Sequence, residues 1–160
     1  MSLFADEEFQ LLSGKDQAEV VYKEAFLSRD ESDYYLKKIN SETSWGERDK
    51  SSMFGNEFTF PRDTAWYGDK GASYVYSGIK NTPLPWTEAL NQLKDKVESH
   101  TGEKFNSLLI NRYLNGDDKV SWHSDDEPEL GPNAIIASLS LGETRDFQLR
   151  PKDKSLETKT

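Results

Sequence analysis

The sequence predicts an α+β fold, in which an antiparallel β-core carries helices packed on one side; a double-sheet jelly roll is the best match. Two observations support this prediction. The helical patterns come first along the chain, and the chain after residue 103 consists of short strand-like segments separated by turns. The length of 160 residues favours a single domain.

The composition bounds the class of protein. Hydrophobic residues make up only 34%, but eight Phe, seven Tyr and four Trp can still build a modest core. We expect a soluble protein that engages no membrane, because no apolar run approaches the length of a membrane span, and we expect it to be a monomer. The lack of cysteine excludes disulfides and thiolate metal sites and fits an intracellular protein, nuclear in a eukaryote and otherwise cytoplasmic. The net charge of -9 argues against nonspecific binding to nucleic acid.

The first elements follow from local patterns. We expect residues 1–12 to be a flexible lead-in and residues 19–26, which mix β-branched and aromatic side chains, to form a strand. Residues 32–44 show helical periodicity, and residues 46–57 are predicted to be a polar loop with an apolar end. The candidate caps of this helix are Asp30 and Ser32.

The middle of the chain contains the clearest helix. Short strands are predicted at residues 58–60 and 73–75. The helix is predicted at residues 86–100, with Thr87 as its N-terminal cap and Gly102 as its C-terminal stop. Four strand-like segments follow, at residues 107–113, 120–125, 134–141 and 145–149.

The strongest local chemical signal is His123 and Asp125. Two residues apart on a predicted strand, their side chains point to the same face, where an imidazole and a carboxylate can bind one metal ion. Nonhaem Fe(II) oxygenases use two His and one carboxylate in this way. The spacing alone is weak evidence for a metal site, because His-x-Asp is more often explained by a surface turn with a hydrogen-bonded His.

A second pair lies one predicted strand earlier. Asn111 and Tyr113 share a face for the same reason, and an amide with a phenol can hydrogen-bond a bound carboxylate. Taken alone, this pair is better explained by a Tyr in the core and an Asn at a turn.

In combination the segments resemble one known family. The ordered set is Asn111-x-Tyr113, Gly116, His123-x-Asp125-Asp126-Glu127, Ser138-x-Ser140-x-Gly142 and Arg145-Asp146-Phe147. Upstream, Pro61-Arg62, Tyr67-Gly68-Asp69, Tyr74-Val75-Tyr76-Ser77-Gly78 and Pro85-Trp86 also match. This pattern resembles the AlkB family of Fe(II)- and 2-oxoglutarate-dependent dioxygenases, especially the eukaryotic homologues that repair alkylated DNA. It covers the chain from about Phe54 to Arg150, so that residues 1–160 are expected to be one AlkB-like domain.

The resemblance implies an activity and its cofactors. It implies oxidative dealkylation of alkylated bases, in which Fe(II) is the metal and 2-oxoglutarate and O2 are cosubstrates. His123 and Asp125 are then implied to be Fe(II) ligands and catalytic residues, and Asn111 and Tyr113 to contact 2-oxoglutarate.

The resemblance also implies a surface for damaged DNA. The implied contacts are Phe54, Arg62, Tyr74, Tyr76, Ser77, Asp126 and Glu127. The two tyrosines and Ser77 resemble a lid that receives the flipped base, the two acidic residues resemble groups that recognise the base edge and the DNA, and Arg62 resembles a pocket-lining residue. Phe54 resembles an apolar finger that fills the gap in the stack, since a base inside a duplex must leave it to react. An ordinary core position is the alternative for Phe54 and for Tyr76.

The sequence departs from the family pattern in its histidines. Only two are present, and His100 is expected to be a charge at the end of a helix rather than a ligand. The family's second His ligand and its 2-oxoglutarate-binding Arg residues lie downstream, so we expect the C-terminal strands of the domain to be absent. The alternatives left open are an inactive nucleic-acid-binding domain, an RNA or single-stranded DNA substrate, and, less favoured, an oxygenase that acts on protein or lipid.

Overall fold

The computed structural model describes residues 8–12, 19–45, 50–53, 56–59, 62–72, 74–76, 79–125, 130–131 and 133–150. Its helices are α1 (Arg29–Glu42) and α2 (Glu88–Thr101). Its strands are β1 (Glu8–Leu12), β2 (Val20–Lys23), β3 (Lys50–Met53), β4 (Asn56–Thr59), β5 (Asp63–Gly68), β6 (Tyr74–Tyr76), β7 (Ile79–Asn81) and β8 (Ser107–Arg112). The named strands pair antiparallel, as predicted, in four ribbons: β1–β2, β3–β4, β5–β8 and β6–β7.

Helix α1 begins earlier than the sequence suggested. The backbone N–H of Glu31 donates to the Ser28 hydroxyl at 3.3 Å, and the Glu31 carboxylate accepts from the Ser28 N–H at 3.0 Å. This reciprocal capping box satisfies N–H groups that have no partner inside the helix. The expected caps, Asp30 and Ser32, are therefore wrong, because both lie inside the helix.

Helix α2 confirms both of its predicted ends. The Thr87 hydroxyl accepts a hydrogen bond from the N–H of Leu90 at 3.3 Å. Gly102 adopts a left-handed backbone conformation with φ +76°, and its N–H donates to the carbonyl of Glu98 at 2.9 Å. Its buried side chains are Ala89, Leu90, Leu93 and Glu98.

Glu98 is the charged member of this buried set. Lys104 donates to the carboxylate at 2.5 Å, and the backbone N–H of Phe105 donates to its other oxygen at 3.0 Å. The hydrogen bond from Lys104, followed by that from Phe105, holds the pKa of Glu98 below its ordinary value. The same contact raises the pKa of Lys104.

One face of the β5–β8 ribbon forms one side of the hydrophobic core. Its register pairs Asp63 with Arg112 and Gly68 with Ser107. Ala65 and Tyr67 of β5 are buried together with Leu90 of α2. The partly buried residues that pack against this cluster are Ile39, Trp45, Trp86, Leu108 and Ile110.

Two segments expected to lack regular structure form strands. Residues 8–12, assigned to a flexible lead-in, form β1 and pair with β2. Residues 50–53 and 56–57, assigned to a loop, belong to β3 and β4, whose register pairs Met53 with Asn56. Hydrogen bonds to the partner strand stabilise these stretches, and composition alone does not reveal that pairing.

Three predicted strands are wrong. Residues 120–125, 134–141 and 145–149 carry no strand, apart from one isolated bridge residue at position 149. Apolar side chains in the last two segments are largely exposed, including Ile135 at 57% and Phe147 at 65%. A strand requires a neighbouring strand that accepts and donates its backbone hydrogen bonds, and in the described residues no strand pairs with these segments.

The chain divides into two compact units. One lies within Met1–Lys37 and Ser140–Thr160, and the other, which contains α2 and the β5–β8 ribbon, lies within Lys38–Leu139. The single domain expected from the sequence therefore stays a prediction. Neither described helix is long and apolar enough to cross a membrane.

Candidate functional site

The β5–β8 ribbon has two chemically different faces. Alternation along the strands places Ala65 and Ile110 on one face, within the core. We call this the core face. The opposite face, called the open face, carries Thr64 and Trp66 from β5 and Leu109 and Asn111 from β8, and Leu109 is 57% exposed. Asn111, predicted from the sequence as a site residue, is thus held by a strand whose other side is anchored in the core.

Two predicted site residues are in contact on the open face. Arg62 precedes β5, and its Nε donates a hydrogen bond of 2.9 Å to Oδ1 of Asn111. The two residues are 49 positions apart in the chain, and the antiparallel register brings them together. Tyr113 follows β8 and is half-buried, so its predicted contact with a cosubstrate carboxylate stays a prediction.

A compact turn connects β8 to the predicted metal ligands. The side-chain oxygen of Asn115 accepts from the backbone N–H groups of Asp117 at 2.9 Å and Asp118 at 3.2 Å. The buried carboxylate of Asp118 accepts from the N–H of Leu114 at 2.7 Å. These bonds fix the direction in which the chain leaves the strand. The adjacent Asn115 and Gly116 are residue types typical of turns, but the sequence gives no sign of the part played by Asp118.

His123 is oriented by the backbone. Its Nδ1 lies 2.8 Å from the carbonyl oxygen of Ser121. Because a carbonyl oxygen can only accept, Nδ1 carries the hydrogen, and in the neutral ring Nε2 has the free lone pair. A His whose other nitrogen donates to a carbonyl is the arrangement typical of metal ligands.

His123 and Asp125 face each other, although no strand holds them. Nε2 of His123 lies 3.6 Å from Oδ2 of Asp125, and the side chains are 53% and 47% exposed. Asp125 has φ +44°, which is incompatible with a β-strand, and this backbone turn replaces the predicted strand as the reason the pair converges.

The pair fits part of a metal site. A separation of 3.6 Å is too long for a hydrogen bond and slightly wider than the roughly 3 Å between adjacent ligands with metal bonds of roughly 2.1 Å. Imidazole nitrogen and carboxylate oxygen also suit Fe(II). Among the residues that the structure describes, no group of three His, Cys, Asp or Glu could hold a metal ion. In that part of the chain, no hydrogen bond or ion pair joins Asn111 to His123 or Asp125.

The other predicted contacts are only partly covered. Tyr74 and Tyr76 lie on β6, whose backbone pairs with β7, but their side chains are outside the described part. The remaining predicted residues outside the described ranges are Phe54, Ser77, Asp126 and Glu127. The strands before and after Phe54 pair as an antiparallel ribbon.

The face of the ribbon opposite Asn111 carries a charged pair that the sequence patterns did not predict. On the core face, Nε and one terminal nitrogen of Arg112 donate to the same oxygen of Asp63 at 2.9 and 2.8 Å. The guanidinium also lies over the Trp45 ring, 4.0 Å from its centroid. The sequence does contain a signal for this pair: Asp63 lies two residues from Ala65 and Arg112 two residues from Ile110, so both charges share the core face, where a charge requires a partner.

The chain is similar in sequence to known oxygenases. The family model of the 2OG-Fe(II) oxygenase superfamily matches residues 19–160. The mouse DNA oxidative demethylase ALKBH2 is 38% identical over 146 residues, which is 91% of this chain and 56% of the mouse protein. The human alpha-ketoglutarate-dependent dioxygenase alkB homolog 3 is 45% identical over 130 residues, 79% of this chain and 44% of the human protein. The chain therefore spans about half the length of the curated relatives it matches.

Proposed function

Because the chain belongs to the 2OG-Fe(II) oxygenase superfamily, we propose that it forms part of an enzyme that oxidatively removes alkyl groups from nucleic-acid bases. Relatives with 38% and 45% identity are named as a DNA oxidative demethylase and as an alpha-ketoglutarate-dependent dioxygenase. We further propose a jelly roll, the finer form of the antiparallel architecture. The acidic net charge means that recognition of nucleic acid depends on local contacts rather than on the overall field.

The arrangement of His123 and Asp125 carries this proposal. With Nδ1 committed to the carbonyl of Ser121, the imidazole presents Nε2 toward the Asp125 carboxylate, so one nitrogen and one oxygen donor face a shared space. These two residues would hold the iron. When bound, the iron and 2-oxoglutarate supply the oxidising chemistry, and the protein supplies orientation and a pocket.

Asn111 and Tyr113 are proposed to bind 2-oxoglutarate. The exposed Asn111 amide lies on the open face and is anchored through a strand whose other side is buried in the core. A hydrogen-bond donor on such a rigid element keeps its position. It therefore places a ligand more accurately than a donor on a loop does.

The damaged base is proposed to bind between the iron site and the β6 region. A base must leave the duplex to reach a metal centre, and aromatic side chains such as Tyr74 and Tyr76 stabilise it by stacking. Phe54 is proposed to fill the vacated space, and Arg62, Ser77, Asp126 and Glu127 remain proposed contacts. Intracellular location, nuclear in a eukaryote, belongs to the same proposal.

Metal binding tests the proposal directly. We expect His123→Ala and Asp125→Ala each to weaken Mn(II) binding at least about 10–100-fold, the range caused by loss of outer-shell partners alone. His100→Ala is the matched control, because His100 is exposed in the last turn of α2. Calorimetric titration measures binding, and aldehyde release from a methylated oligonucleotide measures turnover.

The outcomes separate the two candidate functions. Loss of Mn(II) binding in His100→Ala but not in His123→Ala would contradict the site. Binding of the methylated oligonucleotide without aldehyde release would favour the alternative, a nucleic-acid-binding domain without turnover. That alternative is kept because His123 and Asp125 are joined by no third metal-binding residue in the described ranges.

A further inference from the structure

The contact between Arg62 and Asn111 fixes which way the Asn111 amide faces. Nε of Arg62 donates to Oδ1 of Asn111 at 2.9 Å. A guanidinium has only N–H donors, so it can contact the amide oxygen but not the amide nitrogen. Since the amide group is planar, its two N–H donors point away from Arg62.

The amide donors of Asn111 belong to an exposed residue. Asn111 is exposed, and within the described residues its side chain has a single hydrogen-bond partner, Arg62. The open face at this point therefore presents two N–H donors beside the positive charge of a guanidinium. This combination suits a carboxylate, because hydrogen bonds to an ionised acceptor are shorter and stronger than neutral ones.

We propose that Arg62 is a positioning residue for 2-oxoglutarate, because it holds Oδ1 of Asn111 and so presents the Asn111 amide donors to a carboxylate of the cosubstrate. This inference rests on the proposed function. It gives Arg62 a role different from the one implied by the family resemblance, which was a position lining the pocket for the base. Arg62 acts here through Asn111 and without touching the reacting atoms.

The physical effect of losing Arg62 is loss of amide order. Without the guanidinium, the amide can rotate by half a turn and present its oxygen to the carboxylate, where two acceptors repel each other. Binding must then order the side chain, and each newly immobilised side chain weakens binding roughly 2- to 10-fold. The ribbon itself should stay folded, because Arg62 and Asn111 lie away from the core face.

A double-mutant cycle on 2-oxoglutarate binding tests the inference. The four proteins are the full chain, Arg62→Ala, Asn111→Ala and the double variant, titrated with 2-oxoglutarate in the presence of Mn(II). Removal of the Arg62 charge weakens anion binding in both backgrounds, so it cancels in the cycle. We expect Arg62→Ala to cost roughly 2- to 10-fold more with Asn111 present than with Asn111→Ala.

Lys70→Ala is the matched control for charge. Lys70 is an exposed cation in the turn after β5, at the opposite end of the strand from Arg62. Its loss should show no coupling to Asn111→Ala. Unfolding midpoints of all variants establish that the differences in binding do not come from differences in folding.

A second measurement needs no ligand. In the ¹⁵N-labelled chain, the side-chain amide resonance of Asn111, identified by its disappearance in Asn111→Ala, should have a high heteronuclear NOE. Arg62→Ala should lower it, and Lys70→Ala should leave it unchanged.

The outcomes distinguish this inference from the function on which it rests. Failure of the wild-type chain to bind 2-oxoglutarate with Mn(II) overturns the proposed function and this inference with it. Binding with an additive cycle, or an Asn111 amide equally rigid in Arg62→Ala, overturns the positioning role alone.

Discussion

The twelve residues of β5 and β8, six in each strand, alternate between the core face and the open face of the ribbon, and the two faces differ in burial. On the core face, Tyr67 and Ala65 are buried with Leu90 of α2. On the open face, Leu109 and Asn111 are exposed. Because side chains alternate along a strand, neighbouring residues can be subject to different requirements, folding on one side and ligand binding on the other.

Charged residues show the same division. Asp63 and Arg112 pair on the core face, and Arg62 and Asn111 pair on the open face, each member one residue away from a member of the other pair. In the first pair only 9% of the Asp63 side chain is exposed, while in the second pair Asn111 is exposed and Arg62 is half-buried. We therefore expect mutations in the Asp63–Arg112 pair to affect chiefly stability, and mutations in the Arg62–Asn111 pair to affect chiefly ligand binding.

The largest expected effect comes from opening the core above the ribbon. Leu90 is 2% exposed and covers the core face, so Leu90→Ala should lower the free energy of unfolding by roughly 2–5 kcal/mol. Leu109→Ala removes the same side chain from the open face and should change it by no more than about 0.5 kcal/mol. Urea unfolding followed by circular dichroism measures both. Equal losses in the two variants would show that the faces are not distinct.

Breaking the core-face ion pair should have the next largest effect. Asp63→Ala leaves the partly enclosed guanidinium of Arg112 without its carboxylate, although 29% of that side chain is exposed to water. We expect a loss of roughly 2–3 kcal/mol, between the values for exposed and fully buried pairs.

The control for this prediction is Arg62→Ala, which changes the residue immediately before Asp63. It should lower the urea midpoint less than Asp63→Ala does, because it leaves the ion pair of the core face intact and its hydrogen bond to Asn111 is to an exposed, uncharged amide. If Arg62→Ala destabilises the chain as much as Asp63→Ala does, the pair of Arg62 and Asn111 also stabilises the fold. The two faces would then not have separate roles in stability.

The sequence predicted the helices better than the strands, because the signals for helices are local. Thr87 and Gly102, the predicted cap and stop, directly precede and follow α2. The start of α1 was missed because its capping box, Ser28 with Glu31, precedes the apolar periodicity. Strands depend on partners elsewhere in the chain, so the strand-like composition of residues 134–141 was not sufficient for a strand.

The sequence motifs indicate candidate site residues, but they do not indicate the contacts between them. His123 and Asp125 do face each other, but through a turn at Asp125 rather than through a strand. The hydrogen bond between Arg62 and Asn111 joins residues 49 positions apart, and only the register of β5 with β8 determines it. No local pattern in the sequence contains that register.

The smallest expected effect concerns the end of α2, which covers the core face, and it depends on pH. The pKa of Glu98 is lowered from 4.5, chiefly by the hydrogen bond from Lys104. A lowered folded-state pKa contributes stability above pH 4.5, and this stability is lost as the pH falls through the lowered value. The raised pKa of Lys104 acts at the other extreme, since its contribution is present below pH 10.5 and lost as the pH rises through the raised value.

Glu98→Gln isolates this contribution, because the amide oxygen can still accept from the N–H of Phe105 while the charge is removed. We expect the variant to have a lower urea midpoint than the wild type at neutral pH, by less than the loss in Asp63→Ala, because Lys104 is 86% exposed. Between about pH 5 and about pH 3 the wild-type midpoint should fall toward that of the variant. Glu103→Gln, which removes an exposed carboxylate just beyond Gly102, is the control and should flatten the pH dependence less. Parallel curves for the wild type and Glu98→Gln would mean that the carboxylate acts only as a hydrogen-bond acceptor for the backbone, and that its charge contributes nothing to holding α2 over the core face.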